Sequence, residues 1–149
     1  MNRNNLSPNR NYVEETAIIA AVSFPEEIKK LTVTNLCKRL RVSRNTLNKQ
    51  FQTELGISVK EFLSRQRVIK AGFFIEDDLS KVYSVKEIAA LFGFRSSRDF
   101  SRTFEQFMAT TPENFRRYKQ IVKMKNEPTK KHPILESTAG KKNGSRQDQ

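Results

Sequence analysis

Ser84-Val-Lys-Glu-Ile-Ala-Ala-Leu-Phe-Gly93 is the stretch on which the fold turns. Ser84 and Glu87 stand three apart, the spacing of a capping box, so a helix is expected to open at Val85. Ile88, Ala89 and Leu91 give that helix an apolar side, and Gly93 ends it. A further helix then carries Phe100, Phe104 and Phe107 at helical spacing. The small residue Ala89, with a glycine four positions on, is what close crossing of two short helices requires.

Working outward, the same pattern stands earlier in the chain. A shift of 52 places Thr32 on Ser84, Val33 on Val85, Leu36 on Ile88 and Cys37 on Ala89. After the turn the shift is 53, and Leu47 meets Phe100, Phe51 meets Phe104 and Gly56 meets Ala109. Thr32 and Ser43 are the expected N-caps of the first copy. Between the copies, Ser58-Val-Lys-Glu61 reads as a capping box opening a long helix over 58–78. Phe62, Leu63, Ile69 and Phe73 are its expected packing residues, and Arg67 is available to pin it by side-chain hydrogen bonds. Thr111-Pro112-Glu113 opens a closing helix to about Lys123, with proline at its first position. Ahead of the repeat, Tyr12 to Ser23 forms one expected helix, with Val13, Ala17, Ile18 and Ala21 inward and Pro25 limiting its extension.

The fold expected is therefore all-α, about seven helices, in which two helix-turn-helix units are joined by a long linker helix. Its parts are a disordered lead (1–11), an N-terminal helix and connection (12–30), a first unit (31–57), the linker helix (58–78), a second unit with its closing helix (79–125) and a disordered basic tail (126–149).

Composition narrows the function. The 149 residues carry 28 Lys+Arg against 16 Asp+Glu, a formal charge of +12, with 36% hydrophobic residues and a mean hydropathy of −0.67. Residues 31–125 hold nineteen basic and nine acidic side chains, so the surplus lies in the folded middle and points to a polyanionic partner. No apolar run approaches the roughly 20 residues of a membrane span. The stretch 12–23 has no Lys or Arg, which argues against a membrane-surface helix. Cys37, the one cysteine, excludes an internal disulfide and a multi-cysteine metal site, and it reads as a small core thiol. His132 is the one histidine and stands in the polar tail beside Pro133. No catalytic constellation is visible, and no cofactor or metal is expected.

If Leu47 and Phe51 face inward, the opposite stripe of the first copy is Asn45, Asn48, Lys49 and Gln52. The matching stripe of the second is Arg98, Ser101, Arg102 and Glu105. Arginine suits guanine, and asparagine or glutamine suits adenine, so Asn45, Asn48, Lys49, Arg98, Ser101 and Arg102 are candidates for reading bases. Arg41, Arg44, Lys60, Arg65, Lys86, Arg95, Arg116 and Lys119 are candidates for phosphate contacts. Two matching stripes on a strongly basic segment weigh against a plain solvated face.

Residues 31–117 resemble the DNA-binding domain of the arabinose-operon regulator family, the AraC/XylS transcription activators. The resemblance rests on Val85-Lys-Glu-Ile-Ala-Ala-Leu-Phe-Gly-Phe94, on Phe100-Ser-Arg-Thr-Phe104 and on the closing Thr111-Pro-Glu-Asn-Phe-Arg116. The stretch Glu61-Phe-Leu-Ser-Arg-Gln-Arg-Val-Ile-Lys-Ala71 resembles the family's linker helix. It implies a sequence-specific regulator, usually an activator, that places two recognition helices in the major groove and touches RNA polymerase. It also implies a bacterial cytoplasmic, nucleoid-associated protein, and the unequal stripes allow binding as a monomer. Only about 30 residues precede the first unit, as in the family's small stand-alone members. Arg41 and Ala109 replace the family's usual glycines, and Arg41 is strained if its turn needs positive φ. An architectural or recombination-associated DNA binder, and the DNA-binding piece of an alkylation-repair protein, are the alternative readings.

Overall fold

The computed structural model describes residues 10–78 and 82–128. Most of the lead and the tail beyond Pro128, His132 included, lie outside them. Among the described residues there are eight helices and no strand: α1 (Tyr12–Val22), α2 (Pro25–Lys30), α3 (Val33–Leu40), α4 (Arg44–Leu55), α5 (Val59–Asp77), α6 (Val85–Leu91), α7 (Ser97–Met108) and α8 (Pro112–Asn126). The described residues up to Arg116 form one compact body, which holds both helix-turn-helix cores, and those from Arg117 form another, with the remainder of α8. The eighth helix is α2. Pro25 does not merely end the first helix; it occupies the first turn of the next, where its missing N–H costs nothing.

Local chemistry sets most boundaries. Thr32, Ser43, Ser58 and Ser84 each accept a backbone N–H three residues on, the expected caps of α3 to α6, and Ser96 does the same for α7. Ser84 and Glu87 form the full reciprocal box, and hydrogen bonds from Ser84 hold the Glu87 carboxyl below the usual carboxylate range. At α5 the box is half made: Ser58 caps, but Glu61 turns to Arg65 at 3.0 Å. Gly93 has a positive φ of 81°, and a Cβ there would stand 3.1 Å from the Lys29 backbone. The α6–α7 turn therefore needs glycine both for its conformation and for its contact with α2.

Arg41 caps α3 in the left-handed region, φ 56° and ψ 48°, where a Cβ is strained. Arg41→Gly should therefore stabilise the protein by about 0.5–1 kcal/mol, net of glycine's added freedom in the unfolded chain. A thermal melt followed by circular dichroism reads this as a Tm rise of a few degrees; a fall would mean that the side chain is itself stabilising.

The core of the first unit runs through Leu36, Leu47, Phe51 and Phe62, and that of the second through Ile88, Phe92, Phe100 and Phe104, all buried. Phe51 meets Phe62 edge-on at 5.2 Å, and Phe74 meets Phe92 at 5.7 Å, so α5 packs into both units. Its buried residues are Val59, Phe62, Leu63, Val68, Ala71, Gly72 and Ile75. Ile69 and Phe73, expected inside, are exposed, Phe73 at 64%. The face was placed about one position wrong, because α5 is apolar on more than one side. The same holds for α1: Tyr12, Val13, Thr16 and Ala20 are buried while Ile18 is exposed. Thr16 can be fully buried because its hydroxyl donates to the Tyr12 carbonyl at 2.7 Å. Cys37 is half-buried, and burial raises its thiol pKa against the opposing effect of Arg44, which fits an unreactive packing residue.

Candidate nucleic-acid interface

The N-terminal half of α5 forms the floor between the two units. Lys60, Ser64 and Arg67 line a cleft of about 650 Å³ with Gly93 to Ser96 of the second turn and with Arg98, Asp99, Arg102 and Thr103 of α7. The same three residues line a second cleft, about 260 Å³, with Thr32 to Thr34 at the start of α3 and Arg44 at the start of α4. The start of each unit's second helix thus flanks one face of α5. Lys60, Arg67, Arg95, Arg98 and Arg102 make the larger cleft cationic, and Asp99 is the one carboxylate in its lining.

That carboxylate is matched. Arg102 Nη2 donates to Asp99 Oδ1 at 2.9 Å, while the arginine side chain stays 80% exposed. Asp99 thus steers the guanidinium without burying it. Arg98 is exposed and Ser101 half-buried; Arg95, Lys86 and Lys60 are exposed. In the first unit, Asn45, Lys49 and Gln52 are exposed along α4. Arg44 is exposed too, with Nη2 donating to Thr34 Oγ1 at 2.9 Å, so it starts α4 tied to α3. Arg67 donates to the carbonyls of Ile28 and Leu31, pinning α5 beneath α2, and burial lowers its pKa.

Three of the expected contact residues are engaged within the protein. Asn48 is turned from the exposed stripe: its Oδ1 accepts the Val59 N–H at 3.1 Å, completing the start of α5. Arg116 is buried at 6% and donates to the Tyr83 carbonyl at 2.9 Å, with Asp78 3.7 Å away, so no phosphate can reach it. Arg65 pairs with Glu61 and lies over the Phe107 ring, 4.9 Å from its centre, joining α5 to α7. Lys119 is half-buried and lies beyond Arg116, in the other compact body. Sequence reading missed Gln50, whose amide holds the start of α1. Its one available signal was a polar residue on the flank of an otherwise exposed stripe.

The model of the helix-turn-helix domain family matches residues 36–118. The chain is 33% identical over 92 residues to an uncharacterized HTH-type transcriptional regulator, YtdP, of Bacillus subtilis, covering 61% of this chain and 11% of that protein. It is 32% identical over 80 residues to the HTH-type transcriptional activator RhaR of Pectobacterium carotovorum, covering 54% of this chain and 27% of RhaR. The chain thus spans well under a third of the length of these relatives. Among solved structures, the DNA-binding domain of the global transcriptional factor AdpA in complex with a target DNA is similar at TM-score 0.57 and 25% identity, covering 78% of this chain and 96% of that one.

Proposed function

As the chain belongs to the AraC-type helix-turn-helix family, we propose that it is a sequence-specific regulator of transcription that reads double-stranded DNA through α4 and α7. The observation that carries this is the cationic tract on α5, flanked by the starts of both second helices. Asn45, Lys49, Arg98, Ser101 and Arg102 read bases; Arg41, Arg44, Lys60, Lys86 and Arg95 meet phosphates. Activation follows the relatives, RhaR being named an activator, and contact with RNA polymerase follows from the family resemblance. The unequal stripes suit an asymmetric site bound by a monomer, in the cytoplasm, with no cofactor and no catalytic step. Among the described residues no helix is long and apolar enough to cross a membrane.

Selection of bound duplexes from a random pool supplies the operator, and Arg102→Ala then tests the reading. If Arg102 forks onto guanine O6 and N7, the substitution costs roughly 1–3 kcal/mol and relaxes preference at one base pair. A uniform loss across single-base operator variants, with the salt slope lowered by about one, would make it a phosphate contact instead. Failure of the selection to enrich any sequence would favour an architectural binder.

A further inference from the structure

Both flanks of α4 are occupied by the starts of other helices. The first N–H groups of any helix lack partners within it. On one flank, Asn48 Oδ1 accepts from Val59, the first residue of α5, at 3.1 Å. On the other, Gln50 Oε1 accepts from Tyr12 at 2.6 Å and Val13 at 3.3 Å, the first two residues of α1, and Gln50 Nε2 donates to the Arg10 carbonyl at 3.1 Å. Two positions along a helix are about 200° apart, so these amides grip from nearly opposite sides, with Asn45 and Lys49 exposed between them.

Arg10 extends the grip to the other helix of the unit. Its Nη1 donates to the Leu40 carbonyl, the last of α3, at 2.9 Å. Its Nε and Nη2 each reach a Glu15 oxygen at 2.6 Å, and its guanidinium lies 4.9 Å over the Tyr12 ring. The start of α1 is thereby joined to the end of α3 and to the middle of α4. In α7, by contrast, the side-chain hydrogen bonds of Arg102 and Thr103 return to Asp99 of the same helix.

We propose that Gln50 and Arg10 are positioning residues for α4, so that the start of α1 sets how the first unit reads DNA while leaving the second unit unaffected. This rests on the DNA reading of α4 and names its control point. A displacement of the chain at Arg10 would release the Gln50 flank of α4 and leave the Asn48 flank held.

The test uses the full chain, the selected operator and a panel of single-base changes in each half. In the parent, changes in either half cost about tenfold or more at read positions. In Gln50→Leu, the penalties across the whole first half should shrink below about threefold while those in the second half persist. Arg10→Ala, on a different element, should give the same flattening, and the two substitutions together should add little to either alone. Gln50→Glu keeps the acceptor for Tyr12 and Val13 but sets a carboxylate oxygen against the Arg10 carbonyl, so it should recover only part of the first-half sensitivity lost in Gln50→Leu. If Gln50→Leu does not melt cooperatively, Arg10→Ala decides alone. Unchanged penalties with a lower Tm would reduce the latch to a stability element, and relaxation at one base pair only would make Gln50 a direct contact; either overturns the proposal. Loss of sensitivity in the second half on Arg102→Ala, beside an unchanged Gln50→Leu pattern, would sink this inference and leave the DNA reading standing.

Discussion

An alanine inserted after Lys70 should abolish specific DNA binding and melt the second helix-turn-helix unit. The insertion turns everything beyond it by about 100° and moves it about 1.5 Å along the axis of α5. The second unit is attached on both sides of that point. Ahead of it, Arg65 lies over Phe107 of α7. Beyond it, Gly72 faces Met108 and Phe115, and Phe74 packs edge-on against Tyr83 and Phe92. α7 cannot satisfy both halves once they are out of phase, and the buried Ile75 would turn toward solvent. The expected loss is above about 4 kcal/mol, an exceptional size for a single change, because the core between α5 and α7 is broken. Circular dichroism melts should show a lost or much lowered transition, beside binding to the operator reduced to the non-specific level. Parental melting and affinity in the insertion variant would show that the units are independent and that α5 is only a tether.

Arg116→Ala should destabilise the protein by roughly 3–5 kcal/mol, because it removes a buried guanidinium that is hydrogen-bonded to the Tyr83 carbonyl and lies beside the Asp78 carboxylate. Asp78 is 9% exposed, and its Oδ2 accepts the Tyr83 N–H at 3.0 Å. Arg116 supplies the cation at 3.7 Å and also satisfies the Tyr83 carbonyl. The three groups close the end of α5 onto the start of α8. Asp78→Asn in the Arg116→Ala background should recover part of the loss, since it removes the negative charge beside the vacated site but does not replace the bond to the Tyr83 carbonyl. Urea unfolding of the single and double variants measures both. A single variant within about 1 kcal/mol of the parent would return Arg116 to the list of surface cations.

The difference between Arg102 and Arg116 shows what a sequence pattern can carry. Both are arginines inside a matched motif, and both are expected on the surface. Arg102 lies on the stripe opposite Phe100 and Phe104, and helical periodicity places it outside correctly. Arg116 lies on the first turns of α8, where its burial depends on Tyr83 and Asp78, 33 and 38 positions earlier. Nothing local in Thr111-Pro112-Glu113 announces those partners.

The sequence by itself determined the caps at Thr32, Ser43, Ser58 and Ser84, the stops at Gly56 and Gly93, the two cores spaced by Leu47–Phe51 and Phe100–Phe104, and hence the repeated unit and its family. These signals act within one or two helical turns, so neighbouring residues suffice to state them. The tertiary structure decided which polar side chains remain free to meet DNA. Asn48 and Gln50 are as polar as Asn45, yet each is taken up by a backbone donor 11 or 38 positions away. Only the approach of α1 and α5 brings those donors within reach. It also decided the buried faces of α1 and α5, because a helix apolar on several sides takes its orientation from whatever packs against it.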